Sequence, residues 1–246
     1  LHDTMSNMDS LVQTTWRNSN TQIWSLEPVG KMEEEKTFFK YGSAISEALK
    51  VFDQMGKFEW ISLKGNMPPK ADVLLKYQTG NCRDEASFVV YLSRNLGIPA
   101  AIDFTPHWGN RSNSHSWSVL LKPDGKATPF YMGCVPGDTA QYFHPYKKPK
   151  VFRRMFRINQ TMQCDLGREQ DVPSLFKIPT FTDVTNEYYK TTDVVRNIPK
   201  TYSDRNVAYI CVYDNKRWEP VYYGTIDKGK VVFKSMGRGI LYSTCI

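Results

Sequence analysis

The chain has 246 residues, 41% of them hydrophobic, which supplies a packed core for one large domain or two small ones and excludes a disordered polymer. Its net charge of +7 permits an acidic partner, but a charged fraction of 23% is ordinary for a globular domain, so charge identifies no ligand. Five cysteines, Cys82, Cys134, Cys164, Cys211 and Cys245, lie far apart without a C-x-x-C pair, which argues against a zinc knuckle or a thioredoxin-type motif and leaves at least one thiol unpaired.

From the N-terminus, Leu1-His2-Asp3 reads as a trimmed start, and both ends look cut from a longer parent. Apolar residues at Phe38, Tyr41, Ile45, Ala48, Leu49 and Phe52 share one face of a helix expected over 33–55, with Glu33-Glu34-Glu35 suited to its first turn. Pro68-Pro69 interrupts, and a short helix follows over 71–76. The third helix starts at Cys82: Asn81 caps it, Asp84 completes a capping box, and Gly97-Ile98-Pro99 ends it. Cys82, Ala86, Val89 and Leu96 share its buried face.

Strands are expected at 100–104, 114–121 and 126–132. The last two join through Pro123-Asp124-Gly125, a three-residue hairpin loop that sets Lys122 opposite Lys126 and Trp117 opposite Tyr131. The basic run 147–157 reads as a solvated strand between domains and carries no nucleic-acid fold signature. Beyond it, strands are expected at 207–212, 221–226, 230–234 and 239–242, with turns at Asp214-Asn215 and Asp227-Lys228-Gly229. There is no apolar run long enough for a transmembrane helix.

Cys82 and His115 carry the chemistry. Only a thiolate is a good nucleophile; a helix N-terminus and a nearby imidazole both favour it, so the pair is expected as thiolate and imidazolium near neutral pH. The N-H of Cys82 and its helix are candidate donors to an oxyanion, with Gln78 as a candidate side-chain donor. The alternative is that Cys82 and His115 are core residues, as lone buried cysteines commonly are.

Gly80-Asn81-Cys82-Arg83-Asp84-Glu85-Ala86, then Leu96-Gly97-Ile98-Pro99-Ala100, then His115-Ser116-Trp117, resembles the transglutaminase-like superfamily of papain-related cysteine enzymes. The run Asp103 to Arg111 is similar to that of transglutaminase-like lipoproteins of Bacteroidetes. The resemblance, specific over about 70–133, implies a papain/transglutaminase-like core with the cysteine helix packed on an antiparallel sheet; joined to the β-rich runs that follow, it gives an expected α+β fold, with that core and its N-terminal helices over 1–148 and a smaller all-β domain over 149–246. It implies a triad of Cys82, His115 and an aspartate on the following strand. At that aspartate's place stands Tyr131, and Asp103 is a candidate substitute carboxylate, its other reading being an ordinary strand-end or loop carboxylate.

His107, Trp108 and Trp117 are candidate walls of a substrate cleft, their other reading being core packing. The implied function is thiol-dependent amide hydrolysis or acyl transfer on a peptide or protein, without metal or other cofactor and without nucleic acid. The alternative is a catalytically impaired peptide- or glycan-binding module. The resemblance also implies a periplasmic or cell-surface location, with a lipid anchor outside this fragment.

Overall fold

A computed structural model describes residues 50, 58–61, 69–122, 126–132, 146–202 and 204–246. The helix expected over 33–55 lies outside the described residues apart from Lys50. The described residues cluster in two compact units, one holding those up to Ile102 and from Ser116 to 132, the other holding Asp103–His115 and those from 146 onward.

The first unit contains β1 (Glu59–Trp60), α1 (Ala71–Tyr77), β2 (Thr79–Gly80), α2 (Cys82–Asn95), the start of β3 (Ala100–Thr105), β4 (His115–Leu121) beyond its first residue, and β5 (Ala127–Phe130). Gln78 ends α1 in the left-handed region, at φ 47°, and its N-H returns to the Leu74 carbonyl at 2.9 Å. Two residues of β1 then pair parallel with Thr79 and Gly80.

Both ends of α2 are fixed by local chemistry. At the N-terminus Asn81 Oδ1 accepts from the N-H groups of Arg83 (2.9 Å) and Asp84 (3.3 Å), while Asp84 Oδ2 accepts from Asn81 N-H at 3.0 Å, the expected capping box. At the C-terminus Gly97 takes φ +74°, its N-H reaches Arg94 O at 3.0 Å, and Ile98 N-H reaches Ser93 O at 2.8 Å, a Schellman closure. Arg94 then spans the turn, donating twice to Ala100 O at 3.0 and 2.7 Å.

The apolar face of α2 packs Phe88, Val89 and Val90 with Leu74, Ile98, Ala100, Leu120 and Phe130 into one buried cluster. Burial of each such side chain stabilises by about 1.5–3 kcal/mol. The β4–β5 hairpin has the expected register: Leu121 faces Ala127, Ser118 faces Phe130, and Lys122 N-H donates to Lys126 O at 2.9 Å.

In the second unit the end of β3 pairs antiparallel with β6 (Phe152–Arg154), and β6 with β7 (Phe181–Asp183). The other sheet, in the order β12-β9-β10-β11-β8, is antiparallel throughout and comprises β8 (Thr192–Asn197), β9 (Val207–Asp214), β10 (Arg217–Asp227), β11 (Lys230–Met236) and β12 (Ser243–Cys245). Both predicted turns hold: Asn215 and Lys216, and Lys228 and Gly229, all take positive φ, as tight hairpin turns matched to strand twist require.

Three expectations are corrected here. Residues 239–242 form no strand; the last strand is Ser243–Cys245. The C-terminal half is not all-β, since α3 (Gln160–Leu166) and α4 (Thr185–Tyr188) interrupt it. The basic run is not a solvated strand: Lys148 and Lys150 are buried. Lys150 donates to Asp183, to Lys234 O at 2.6 Å and to Ser235 O at 3.2 Å, and its ammonium sits 3.8 Å from the Tyr222 ring centre. A buried ammonium is tolerated because all three of its hydrogens find acceptors. The sheet also brings the side chains of Cys211 and Cys245 together.

Candidate functional site

Cys82 is the first residue of α2, where the capped helix end concentrates positive potential. Burial nevertheless raises its thiol above the ordinary value, outweighing the N-H groups of Ser116, Arg83 and Cys82 itself and the charge of Arg83, all of which lower it. The expected resting thiolate is thereby corrected: desolvation disfavours the charged form more than the helix end favours it. Ser116, whose N-H reaches the sulfur, follows His115 in the chain.

Gly80 is where it is because nothing larger fits. A Cβ there would lie 2.6 Å from Asp84 Cβ and 2.7 Å from its Oδ2, colliding with the side chain that closes the capping box. One turn beyond Cys82, buried Glu85 accepts from Trp60 Nε1 at 2.9 Å, and burial raises its carboxyl despite that bond. Sequence reasoning missed Glu85; a carboxylate on the apolar side of a helix was the available signal.

Tyr131 follows the last residue of β5 and is buried. Continued by one step, the hairpin register sets it opposite Trp117, which is itself buried in β4. Gln78, the candidate side-chain donor, is the cap residue of α1, and its carbonyl accepts from Glu59 N-H at 2.8 Å.

The second unit holds the remaining candidates. Asp103, in β3, is fully buried and grips Arg153 in a bidentate pair, both bonds 2.8 Å, while Tyr188 Oη donates to it at 2.6 Å. Burial raises the Asp103 carboxyl, against the lowering effects of Arg153 and Tyr188. Arg153 also reaches Glu187, at 2.7 Å. Asp103 thus belongs to an ion-pair network centred on Arg153 that sequence reasoning did not foresee.

His115 begins β4, and its imidazole stacks on the Trp108 indole, with centres 5.6 Å apart and planes inclined by 23°. Trp108 is buried, contacts Tyr146 at 5.4 Å, and carries the Lys148 ammonium 5.1 Å from its ring centre. His107 turns elsewhere, its Nδ1 lying 2.5 Å from Asp214 Oδ2. Of the three candidate cleft residues, Trp108 and Trp117 are buried and His107 keeps a quarter of its side chain exposed (25%). Among the described residues no group of three or more His, Cys, Asp or Glu side chains is arranged to hold a metal ion, and no helix is long and apolar enough to cross a membrane.

The periplasmic domain of TgpA from Pseudomonas aeruginosa, solved with ethylmercury, is 15% identical over 52% of this chain and 42% of that one, with a TM-score of 0.28. A cysteine protease candidate from Cytophaga hutchinsonii is 18% identical over 59% of this chain and 50% of that one, with a TM-score of 0.29. The chain thus spans half or less of the length of either solved structure. Among curated proteins, none matches the chain. The family model that matches does so over residues 40–127, a segment that includes Cys82 and His115 and stops short of Tyr131. Over that segment the chain is similar to the transglutaminase-like superfamily.

Proposed function

We propose that this chain is a transglutaminase-like thiol enzyme that acts on an amide bond of a peptide-like substrate, with Cys82 as nucleophile and His115 as base. The observation that carries the reading is the Ser116 N-H at the Cys82 sulfur: the residue after the histidine meets the thiol at a capped helix N-terminus. In this reading Cys82 Sγ attacks the carbonyl carbon while its proton passes to His115. That proton then goes to the departing amine, and the resulting thioester is released by water, giving hydrolysis, or by a second amine, giving transfer. With the thiol raised by burial, transfer of its proton to His115 is expected to accompany the attack.

The developing oxyanion needs preorganised donors. Arg83 and Asp84 N-H groups already serve Asn81 Oδ1, so the N-H of Cys82 is the helix-end donor assigned to it. Tyr131, in the aspartate's place, is a neutral phenol and stabilises imidazolium less than a carboxylate does, so turnover is expected to be slow. A periplasmic or cell-surface location belongs to the same proposal, supported by the lipoprotein resemblance.

Incubation with p-nitrophenyl acetate tests the reading. A burst of nitrophenol with an acetyl adduct on Cys82 is expected, lost in Cys82→Ala and slowed at least about a hundredfold in His115→Ala. Acylation unaffected by either substitution would overturn it. The rival reading, a binding module with an impaired site, is favoured by Tyr131 and by the raised thiol; it predicts no adduct, with peptide binding intact in Cys82→Ala.

A further inference from the structure

Asp214 ends β9, and its side chain is 1% exposed. Its carboxylate is turned onto the loop between β3 and β4. His107 Nδ1 lies 2.5 Å from Oδ2, Asn113 N-H lies 3.3 Å from each oxygen, and the Ser112 hydroxyl donates as well. The loop also closes on itself, Trp108 N-H donating to Asn113 O at 3.0 Å, with Asn113 held in the left-handed region at φ 84°. A second tie lies nearby: Gly109 N-H donates to Lys147 O at 2.6 Å, and Lys147 N-H to Asn110 Oδ1 at 2.8 Å. Between these ties stands Trp108, the surface on which the His115 ring is stacked.

We infer that Asp214 is a positioning residue for His115: by holding His107, Ser112 and Asn113 it fixes the loop that presents Trp108 to the imidazole. The inference rests on reading His115 as the base. Three polar groups converging on one buried carboxylate are stronger than neutral pairs, since hydrogen bonds to an ionised acceptor are worth about twice as much. Burial alone would push the Asp214 carboxyl up, yet the bonds from His107, Ser112 and Asn113 leave it below its ordinary value, so the acceptor stays ionised. A stacked ring whose support shifts by an ångström loses its aim, and misplacements of that size cost about a hundredfold in rate. Nothing near Asp214 in the chain marks it for this task; it belongs to the turn signal Asp214-Asn215.

The test is nuclear magnetic resonance of histidine-labelled protein. The chain has four histidines, so the His115 ring signals are assigned by their loss in His115→Ala. Stacking on Trp108 is expected to shift them upfield, an effect that Trp108→Leu abolishes. In Asp214→Asn the upfield shift is expected to collapse while circular dichroism stays native. Should that variant fail to fold, His107→Ala removes one of the three bonds and is expected to reduce the shift. A folded Asp214→Asn or His107→Ala protein with an unchanged His115 shift overturns the inference. The base reading is tested separately: if the shift collapses in Asp214→Asn while Cys82 of His115→Ala acylates like wild type, the positioning role stands and the base role falls.

Discussion

The Ser116 N-H donates to the Cys82 sulfur, yet burial keeps that thiol above its ordinary ionisation range. A thiol raised in this way is protonated at neutral pH, and its reactivity climbs only as the pH approaches the raised value. Alkylation of Cys82 by iodoacetamide, followed peptide by peptide, is therefore expected to show a midpoint above about 8.5, the free-thiol value. A midpoint well below that would mean a resting thiolate, and the order of proton transfer and attack proposed above would be wrong.

Gly80 and Asp84 form a matched pair. Gly80→Ala sets a methyl group 2.6 Å from Asp84 Cβ, displacing the side chain that binds Asn81 N-H. A loss of about 1–2 kcal/mol in urea unfolding is expected, the scale of a lost cap. In an Asp84→Gly background the same substitution is expected to cost less, because the whole side chain that the new methyl group strikes, Cβ included, is gone; equal costs in both backgrounds would refute the pairing.

The buried pair of Asp103 and Arg153 is expected to be structural in its energetics. Arg153→Met leaves a carboxylate unpaired in the core, with a predicted loss of about 3–5 kcal/mol. Replacing both, as Asp103→Leu with Arg153→Met, is expected to recover most of it, since neither charge then remains buried alone. A double variant no more stable than Arg153→Met would show that the carboxylate's other bond, from Tyr188, carries the effect.

Lys148 supplies a pH dependence. Burial lowers its ammonium to about 8, from the ordinary 10.5 of an open chain. Between those values the unfolded chain binds a proton that the folded chain has shed, so this group makes stability rise with pH across that window. Below it the folded protein carries a charge it disfavours. Lys148→Met is thus expected to be more stable than wild type at pH 7, by up to about 3 kcal/mol, with the gap closing as the pH passes 10. A gap that widens with pH would contradict the assignment.

What could be read from the sequence was local. The Asn81 cap, the Gly97 closure and the register of the β4–β5 hairpin each depend on residues a few positions apart, where steric and hydrogen-bonding rules are tight. What could not be read was pairing at a distance. Asp103 meets Arg153 across 50 positions and His107 meets Asp214 across 107, and nothing near either partner announces the other. The basic run misled for a related reason: Lys150 is buried because Asp183 and two carbonyls of β11 reach it from far along the chain. Cys82 itself looked more acidic than it is because capping is visible in sequence and desolvation is not.

The long reach from His107 to Asp214 has a consequence for biosynthesis. A growing chain leaves the ribosome N-terminus first, at about 5–20 residues per second. The loop before His115 is complete long before its carboxylate anchor exists, so it emerges without the contact that sets its shape. If Asp214 positions His115 as inferred above, any activity that depends on His115 is expected to rise late, after β9 has been made and folded against the loop, and to be weakened in a chain ending before residue 214.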